Sequence, residues 1–176
     1  MSHVLPALSP FRRLTTFAPP VIGAAVLAWF LFVAAPGQGL PLRPHAPDWA
    51  LLAAQAPVLQ VHIAAATVAL VIGVLLLAGI KGNILHRTLG WTWALAMATV
   101  AISSVFIRNI NDGSFSWIHL FTGWTIIILP MALYAARTHN IAAHRGRMTG
   151  LFVGALLIAG MFTFFPGRLM WRVFLG

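Results

Sequence analysis

The sequence contains no cysteine and no glutamate, and its only carboxylates are Asp48 and Asp112. The lack of cysteine excludes disulfides, thiolate metal sites and thiol catalysis. Two carboxylates leave little for acid–base hydrolysis, a carboxylate metal site or an acidic proton relay. Charged residues make up only 7% of the 176 residues, whereas about a quarter is usual in soluble domains. A chain with so little charge cannot cover a water-facing surface.

Apolar residues dominate the composition, at 60% of the chain. A helix needs about 20 mostly apolar residues to cross the hydrocarbon core of a bilayer. Five segments meet this requirement: 17–35, 57–80, 89–107, 117–136 and 148–165. The predicted fold class is an all-α integral membrane protein with five transmembrane helices, the last four forming a bundle of two helix-pair repeats.

Three regions are expected along the chain. Residues 1–56 form the first transmembrane helix and an external loop, in which Asp48 stands at the N-cap of a short interfacial helix. Residues 57–165 form the four-helix bundle. Residues 166–176 mix arginine with bulky apolar side chains and form an interfacial tail. Tryptophans near the expected interfaces predict an aromatic belt: Trp49, Trp91, Trp93, Trp117 and Trp171.

The basic residues give the predicted orientation. They stand singly or in pairs between apolar runs, which excludes a nucleic-acid-binding patch. The richer side holds Arg12, Arg13, Lys81, Arg87, Arg137, Arg145 and Arg147, and the poorer side holds Arg43, Arg108, Arg168 and Arg172. Because the richer side is normally cytoplasmic, the N-terminus is predicted inside and the C-terminus outside.

Four of the seven histidines follow a repeated spacing. His62 and His119 each lie near the outer end of a predicted span, and 23 and 24 residues separate them from His86 and His144, respectively. Roughly 20 helical residues cover about 30 Å. The spacing therefore predicts an outer pair, His62 with His119, and an inner pair, His86 with His144. His3, His45 and His139 fall in terminal or loop segments and are expected to be solvated.

Two level pairs of histidines in a helical bundle are typical of haem ligation, because imidazole is a common iron ligand and needs no acid or thiol beside it. Arg87 and Arg145 follow the inner histidines directly and suit negatively charged propionates. The predicted cofactor is haem b, up to two groups, with the four paired histidines as iron ligands. Small residues one turn later leave room for a flat group: Ala66, Gly90 and Gly123.

Two other interpretations of the histidines stay open. They can be structural, bonding a backbone carbonyl or lipid headgroups, and the small residues can serve close helix packing. They can also bind zinc or copper or carry protons, although lone histidines without a carboxylate or thiolate are an unusual metal site.

The stretches 86–91, 140–145 and 162–168 resemble a family of small bacterial membrane proteins of unknown function, and the resemblance covers about residues 57–176. It implies a bacterial inner membrane and no particular activity. The histidine layout is similar to that of the two-haem, ascorbate-reducible transmembrane cytochromes b. That similarity implies ligand pairs from the first and third and from the second and fourth bundle helices. This chain departs from that layout in two ways. Its inner histidines lie at the very starts of their helices, and its fifth helix precedes the four-helix bundle.

The sequence thus predicts a membrane-embedded b-type haem protein that relays electrons across or within the membrane, a carrier rather than a classical enzyme. The alternative is a non-catalytic hydrophobic accessory or scaffold subunit of a larger membrane complex, with no cofactor of its own. Expected partners are membrane lipid and a redox partner or larger complex, and no nucleic acid. A transporter is disfavoured because the spans contain no carboxylate for ion coupling.

Overall fold

A computed structural model describes residues 43–107 and 119–176 of the chain, and every regular element in these two ranges is helical. The predicted span 17–35 lies outside the described residues, as do His3, Arg108, Asp112 and Trp117. The elements are α1 (Trp49–Ala53), α2 (Pro57–Ala78), α3 (Ile84–Phe106), α4 (His119–Arg137), α5 (Ile141–Gly150), a π-helix (Leu151–Ile158), α6 (Ala159–Met161), a 3-10 turn (Phe162–Phe164) and α7 (Leu169–Phe174).

Four helical segments are long and apolar enough to cross a membrane: α2, α3, α4 and the continuous segment Ile141–Phe164, called here the fourth span. The chain is a multi-pass membrane protein. The fourth span changes from α-helix to π-helix at Leu151 and back at Ala159. Such π segments are rare and often occur at functional sites.

The four spans close into a ring. α2 packs against α3, α3 against α4, and α4 against the fourth span, whose π-helix returns to α2. In this arrangement α2 lies diagonally across from α4, and α3 lies diagonally across from the fourth span. The two predicted histidine pairs therefore come from diagonally opposite helices.

The middle of the bundle is filled by large side chains. Trp93 and Met97 of α3 meet Leu129 of α4 and Phe152 of the fourth span in one buried cluster. On α2 the facing residues are Ala69 and Gly73, both buried. A Cβ on Gly73 would lie 2.4 Å from the ring of Phe152 and 2.9 Å from Nε1 of Trp93. Small residues on α2 thus allow aromatic side chains to approach its backbone.

Two of the spans begin earlier than hydropathy predicts. The side chain of Asn83 accepts a hydrogen bond from the His86 N–H and starts α3 at Ile84 rather than Leu89. The side chain of Asn140 accepts from the Ala143 N–H and starts the fourth span at Ile141 rather than Met148. Both helices carry histidine and arginine side chains in their first two turns. The apolar run therefore begins where the helix enters the hydrocarbon, which is later than the residue at which the helix begins.

A tight turn joins α4 to α5. The N–H of Asn140 donates to the Ala135 carbonyl and that of His139 to the Ala136 carbonyl, the double bond pattern of a Schellman ending. His139 has φ of 56° and is exposed, as expected for a loop histidine. This three-residue turn keeps α4 and α5 side by side at the inner end.

The outer end is covered by the chain segments that flank the bundle. The Asp48 side chain accepts from the Leu51 N–H and caps α1, as predicted. Backbone N–H groups of Arg43, His45 and Asp48 donate to carbonyls of α7 and its end, at 3.0–3.1 Å. His45 is exposed, yet its Nε2 lies 3.2 Å from the Gly176 oxygen. The predicted tail is a helix that is attached to the external segment.

The tight contact at Gly73 generates the first prediction. Gly73→Ala should lower the free energy of unfolding by about 1–3 kcal/mol, since overpacking forces Phe152 or the helix to move. The measurement is the thermal unfolding midpoint of the detergent-solubilised protein.

The control is Gly123→Ala, because no atom lies within 4 Å of a Cβ added there. That variant should be unchanged or more stable by up to about 1 kcal/mol, the difference in helix propensity. Equal effects at the two glycines would contradict the packing described here.

Candidate functional site

The inner histidines lie on the inward faces of their helices. His86 shares a face of α3 with Gly90, Trp93 and Met97 at helical spacing, and the last two are buried core residues. His144 lies in the first turns of the fourth span and bonds to the neighbouring helix α4. Both imidazoles are half-buried, so they stand at the rim of the bundle interior.

His86 and His144 lie at the same end of the bundle, in the first turns of α3 and of the fourth span. His86 is within electrostatic range of His144 and of Lys81. The two side chains belong to diagonally opposite helices. Their location at helix starts agrees with the sequence.

The hydrogen bond of His144 fixes which ring nitrogen carries the proton. Its Nδ1 lies 3.0 Å from the carbonyl oxygen of Ala132. Because a carbonyl can only accept, Nδ1 donates, and Nε2 of the neutral ring keeps a lone pair. Metal-bound histidines commonly donate their other ring N–H to a backbone carbonyl in this way.

Space remains beside the inner pair. Gly90 lies one turn after His86 on the same face and is half-buried. No atom lies within 4 Å of a Cβ built on it. This differs from Gly73, whose surroundings are filled by aromatic rings. Gly90 therefore offers room that a bound flat group can use.

The outer histidine His62 is held against α3. Its Nδ1 lies 2.9 Å from the Ser103 hydroxyl, and Ser103 donates to the Thr99 carbonyl at 2.6 Å. With the hydroxyl proton on the Thr99 carbonyl, Ser103 accepts from Nδ1–H of His62, and in that tautomer the lone pair of the ring is on Nε2. Ala66, one turn later, packs against the core.

His119 is the first residue of α4 and is half-buried, with its Nε2 atom buried. At the same end, the hydroxyls of Ser104 and Thr122 lie 2.7 Å apart and join α3 to α4. Gly123, one turn after His119, is exposed. The outer end thus does not repeat the geometry of the inner end, where the small residue faces inward.

The inner pair and His62 lie at well-separated levels. Ser103, the residue that contacts His62, lies seventeen positions after His86 on α3. At 1.5 Å per residue the two levels are about 25 Å apart. The buried cluster around Met97 lies between them, so any two groups bound at these levels would be separated by packed side chains.

The inner end is strongly basic. Arg87 and Arg145, the predicted propionate partners, are both exposed at this rim. Arg147 donates to the Met131 carbonyl at 2.9 Å, and the Arg137 guanidinium lies 6.0 Å from the ring centroid of Trp91. The described carboxylate, Asp48, caps α1 at the other end. The cations at this rim therefore have no carboxylate partner in the described ranges.

The prediction that these tryptophans form an aromatic belt at the membrane interfaces is partly wrong. Trp49 and Trp91 are exposed, as an interfacial position predicts, but Trp93 is only 3% exposed and Trp171 only 4%. Trp93 is directed inward because it shares the face of Met97. Its Nε1 is buried without a hydrogen-bond partner among the described residues.

The described residues contain no group of three or more histidine or carboxylate side chains that could hold a metal ion. The interpretation of the histidines as zinc or copper ligands gains no support from these residues.

Sequence reasoning missed the residues that support the histidines. Ser103 was recognisable only as one of several polar groups at the outer end of α3, because its partner lies on another helix. Asn83 and Asn140 carried a usable signal, since each precedes an isoleucine and a histidine three or four residues later. An N-cap followed by a polar first turn would have placed both helix starts.

The next prediction concerns the hydrogen bond between His62 and Ser103. Ser103→Ala leaves Nδ1 of His62 without its side-chain acceptor, and we expect a loss of about 1–3 kcal/mol in unfolding free energy. A double-mutant cycle with His62→Phe should give a coupling of about 0.6–1.7 kcal/mol. Ser104→Ala serves as the matched control, because its partner is Thr122 and its coupling to His62 should be near zero.

Comparison with known proteins gives one match. No curated protein and no solved structure matches the chain. The model of a family described as "Predicted membrane protein (DUF2306)" matches residues 59–172. This region contains the paired histidines and their supporting residues and covers more than half of the chain. The chain therefore belongs to the DUF2306 family of predicted membrane proteins.

Proposed function

We propose that the protein is a membrane-embedded b-type haem protein that relays electrons across or within the membrane. The observation that carries the proposal is the inner pair: His86 and His144 come from diagonally opposite helices within electrostatic range of each other, and open space lies at Gly90, one turn after His86. His62 and His119 are the proposed ligands of a second haem at the outer end.

The donor set fits an iron porphyrin. His144 and His62 each use Nδ1 in a hydrogen bond within the protein, which leaves Nε2 as the ligand atom and fixes the ring orientation. Each pair comes from diagonally opposite helices, as a group held in the bundle interior requires. Arg87 and Arg145 at the inner rim suit negatively charged propionates.

When bound, haem supplies reversible one-electron chemistry at its iron. The residues of this chain ligate, bury and tune it. The Ala132 carbonyl accepts a hydrogen bond from Nδ1 of His144 and orients the ring. Lys81 places positive charge near His86, and a haem held there would lie in a basic environment.

The finer topology belongs to the same proposal. It includes a fifth span at 17–35, two helix-pair repeats, and a location in the bacterial inner membrane with the N-terminus cytoplasmic and the C-terminus outside. The basic inner end supports this orientation, since cytoplasmic ends of membrane proteins carry the excess of lysine and arginine.

A scaffold subunit of a larger membrane complex, without a cofactor, is the second candidate. The observation that favours it is the exposure of α2, of which only Ala69 and Gly73 are buried. Its other face carries large apolar side chains that lipid or another helix must cover: Val61, Val68, Leu70, Val71, Val74, Leu75 and Leu77.

The reduced-minus-oxidised spectrum separates the two candidates. Protein produced with ample haem should show a b-type spectrum. His86→Ala and His144→Ala should remove the same component, and His62→Ala and His119→Ala the other. His139→Asn is the control, because His139 is exposed in the turn at the inner end and asparagine tolerates its positive φ. A folded but colourless wild-type protein would favour the scaffold.

A second test uses the space at Gly90. Gly90→Phe should remove about half of the bound haem while the apoprotein stays folded, because the added ring enters open space. The readouts are haem per protein and helix content by circular dichroism. Gly146→Phe is the matched control, since Gly146 is also open but exposed. Equal haem in both variants would exclude Gly90 from the site.

A further inference from the structure

A groove opens between α4 and the first turns of α5. It has a volume of about 490 Å³, and its lining combines the apolar residues Pro130, Met131 and Ala135 with the polar residues Tyr134, Thr138, Asn140 and Arg147. Tyr134 is 68% exposed and Met131 42% exposed. The groove therefore opens on the side of the bundle that faces away from its interior. None of the paired histidines is among its lining residues.

The depth of the groove matches the boundary between headgroups and hydrocarbon. Its rim lies at the last turn of α4 and the three-residue turn that follows, where the chain leaves the membrane. Its floor reaches Pro130, seven residues before the end of α4, which corresponds to about 10 Å along the helix axis. A molecule that fills it needs a polar head at the rim and an apolar chain below.

The charge of the rim selects the head. The Arg147 guanidinium has five N–H donors in a planar fork, and one described bond, to the Met131 carbonyl, holds it over the groove. The side-chain amide of Asn140 and the hydroxyl of Tyr134 can donate beside it, whereas the Thr138 hydroxyl already donates to the Tyr134 carbonyl. With Arg145 nearby in sequence and no described carboxylate at this end, the groove is complementary to a phosphate diester that carries net negative charge.

We propose that this groove is a binding site for an anionic glycerophospholipid of the surrounding leaflet. The phosphate lies on Arg147 at the level of Met131, and an acyl chain continues from there past Pro130. Arg147, in the last turn of α5, thus contributes a lipid contact rather than only a topology signal. The proposal is independent of whether the histidines hold haem.

Lipid titration of the full chain tests the proposal. The protein is purified in detergent, stripped of lipid and titrated with dioleoyl phosphatidylglycerol or dioleoyl phosphatidylcholine, and bound lipid is counted by native mass spectrometry. The wild type should bind phosphatidylglycerol about tenfold more tightly than phosphatidylcholine. Arg147→Gln should lose about tenfold in phosphatidylglycerol affinity, as expected for a lost charge-assisted contact.

Arg137→Gln is the matched control. It removes the same charge from the same end, but its guanidinium is directed to Trp91 on the neighbouring helix, so affinity should stay within about twofold. Met131→Trp fills the groove, keeps every charge and keeps the carbonyl that Arg147 uses. It should weaken phosphatidylglycerol binding and carries the test if Arg147→Gln does not fold.

Three results would overturn the proposal: equal affinity of the wild type for the two lipids, equal losses in Arg147→Gln and Arg137→Gln, or unchanged binding in Met131→Trp. A colourless protein with normal lipid selectivity would leave this proposal intact and count against the haem proposal alone.

Discussion

Inside a hydrocarbon layer no water is available to hydrogen-bond a polar side chain, and this constraint orders the whole bundle. A polar group in a span is stabilised by a partner within the protein, and Trp93 Nε1 is an exception among the described residues. His62 meets Ser103, His144 meets the Ala132 carbonyl, and Ser104 meets Thr122. All three bonds join different helices, so polar groups fix the relative positions of spans that apolar contact alone would leave free to slide.

The same bonds explain why the histidines suit ligation. A ring whose Nδ1 is committed to an internal acceptor has one defined tautomer and a restricted orientation. Structural and ligand interpretations of His62 and His144 are therefore not exclusive, since a ring that is already positioned loses little freedom when it binds a metal. The open space beside Gly90, rather than the hydrogen bond, distinguishes a ligand site from a structural contact.

Composition and hydropathy predicted the described spans and the short helix capped by Asp48, because length and apolarity determine which segments can cross a bilayer. They misplaced the starts of α3 and the fourth span, where Asn83 and Asn140 extend the helices into polar sequence. Helical spacing puts Ala69 and Gly73 on the same face of α2 as His62 and Ala66, and both are buried. It could not show that Phe152 and Trp93 fill the space at Gly73, since that depends on which helices become neighbours.

The packed layer around Trp93, Met97 and Phe152 divides the bundle into two compartments. A wall of close-packed apolar side chains has a low dielectric constant and does not stabilise charge within it. A charged group at either level is therefore stabilised by the surroundings of its own end. One short bundle thus contains two separate polar environments.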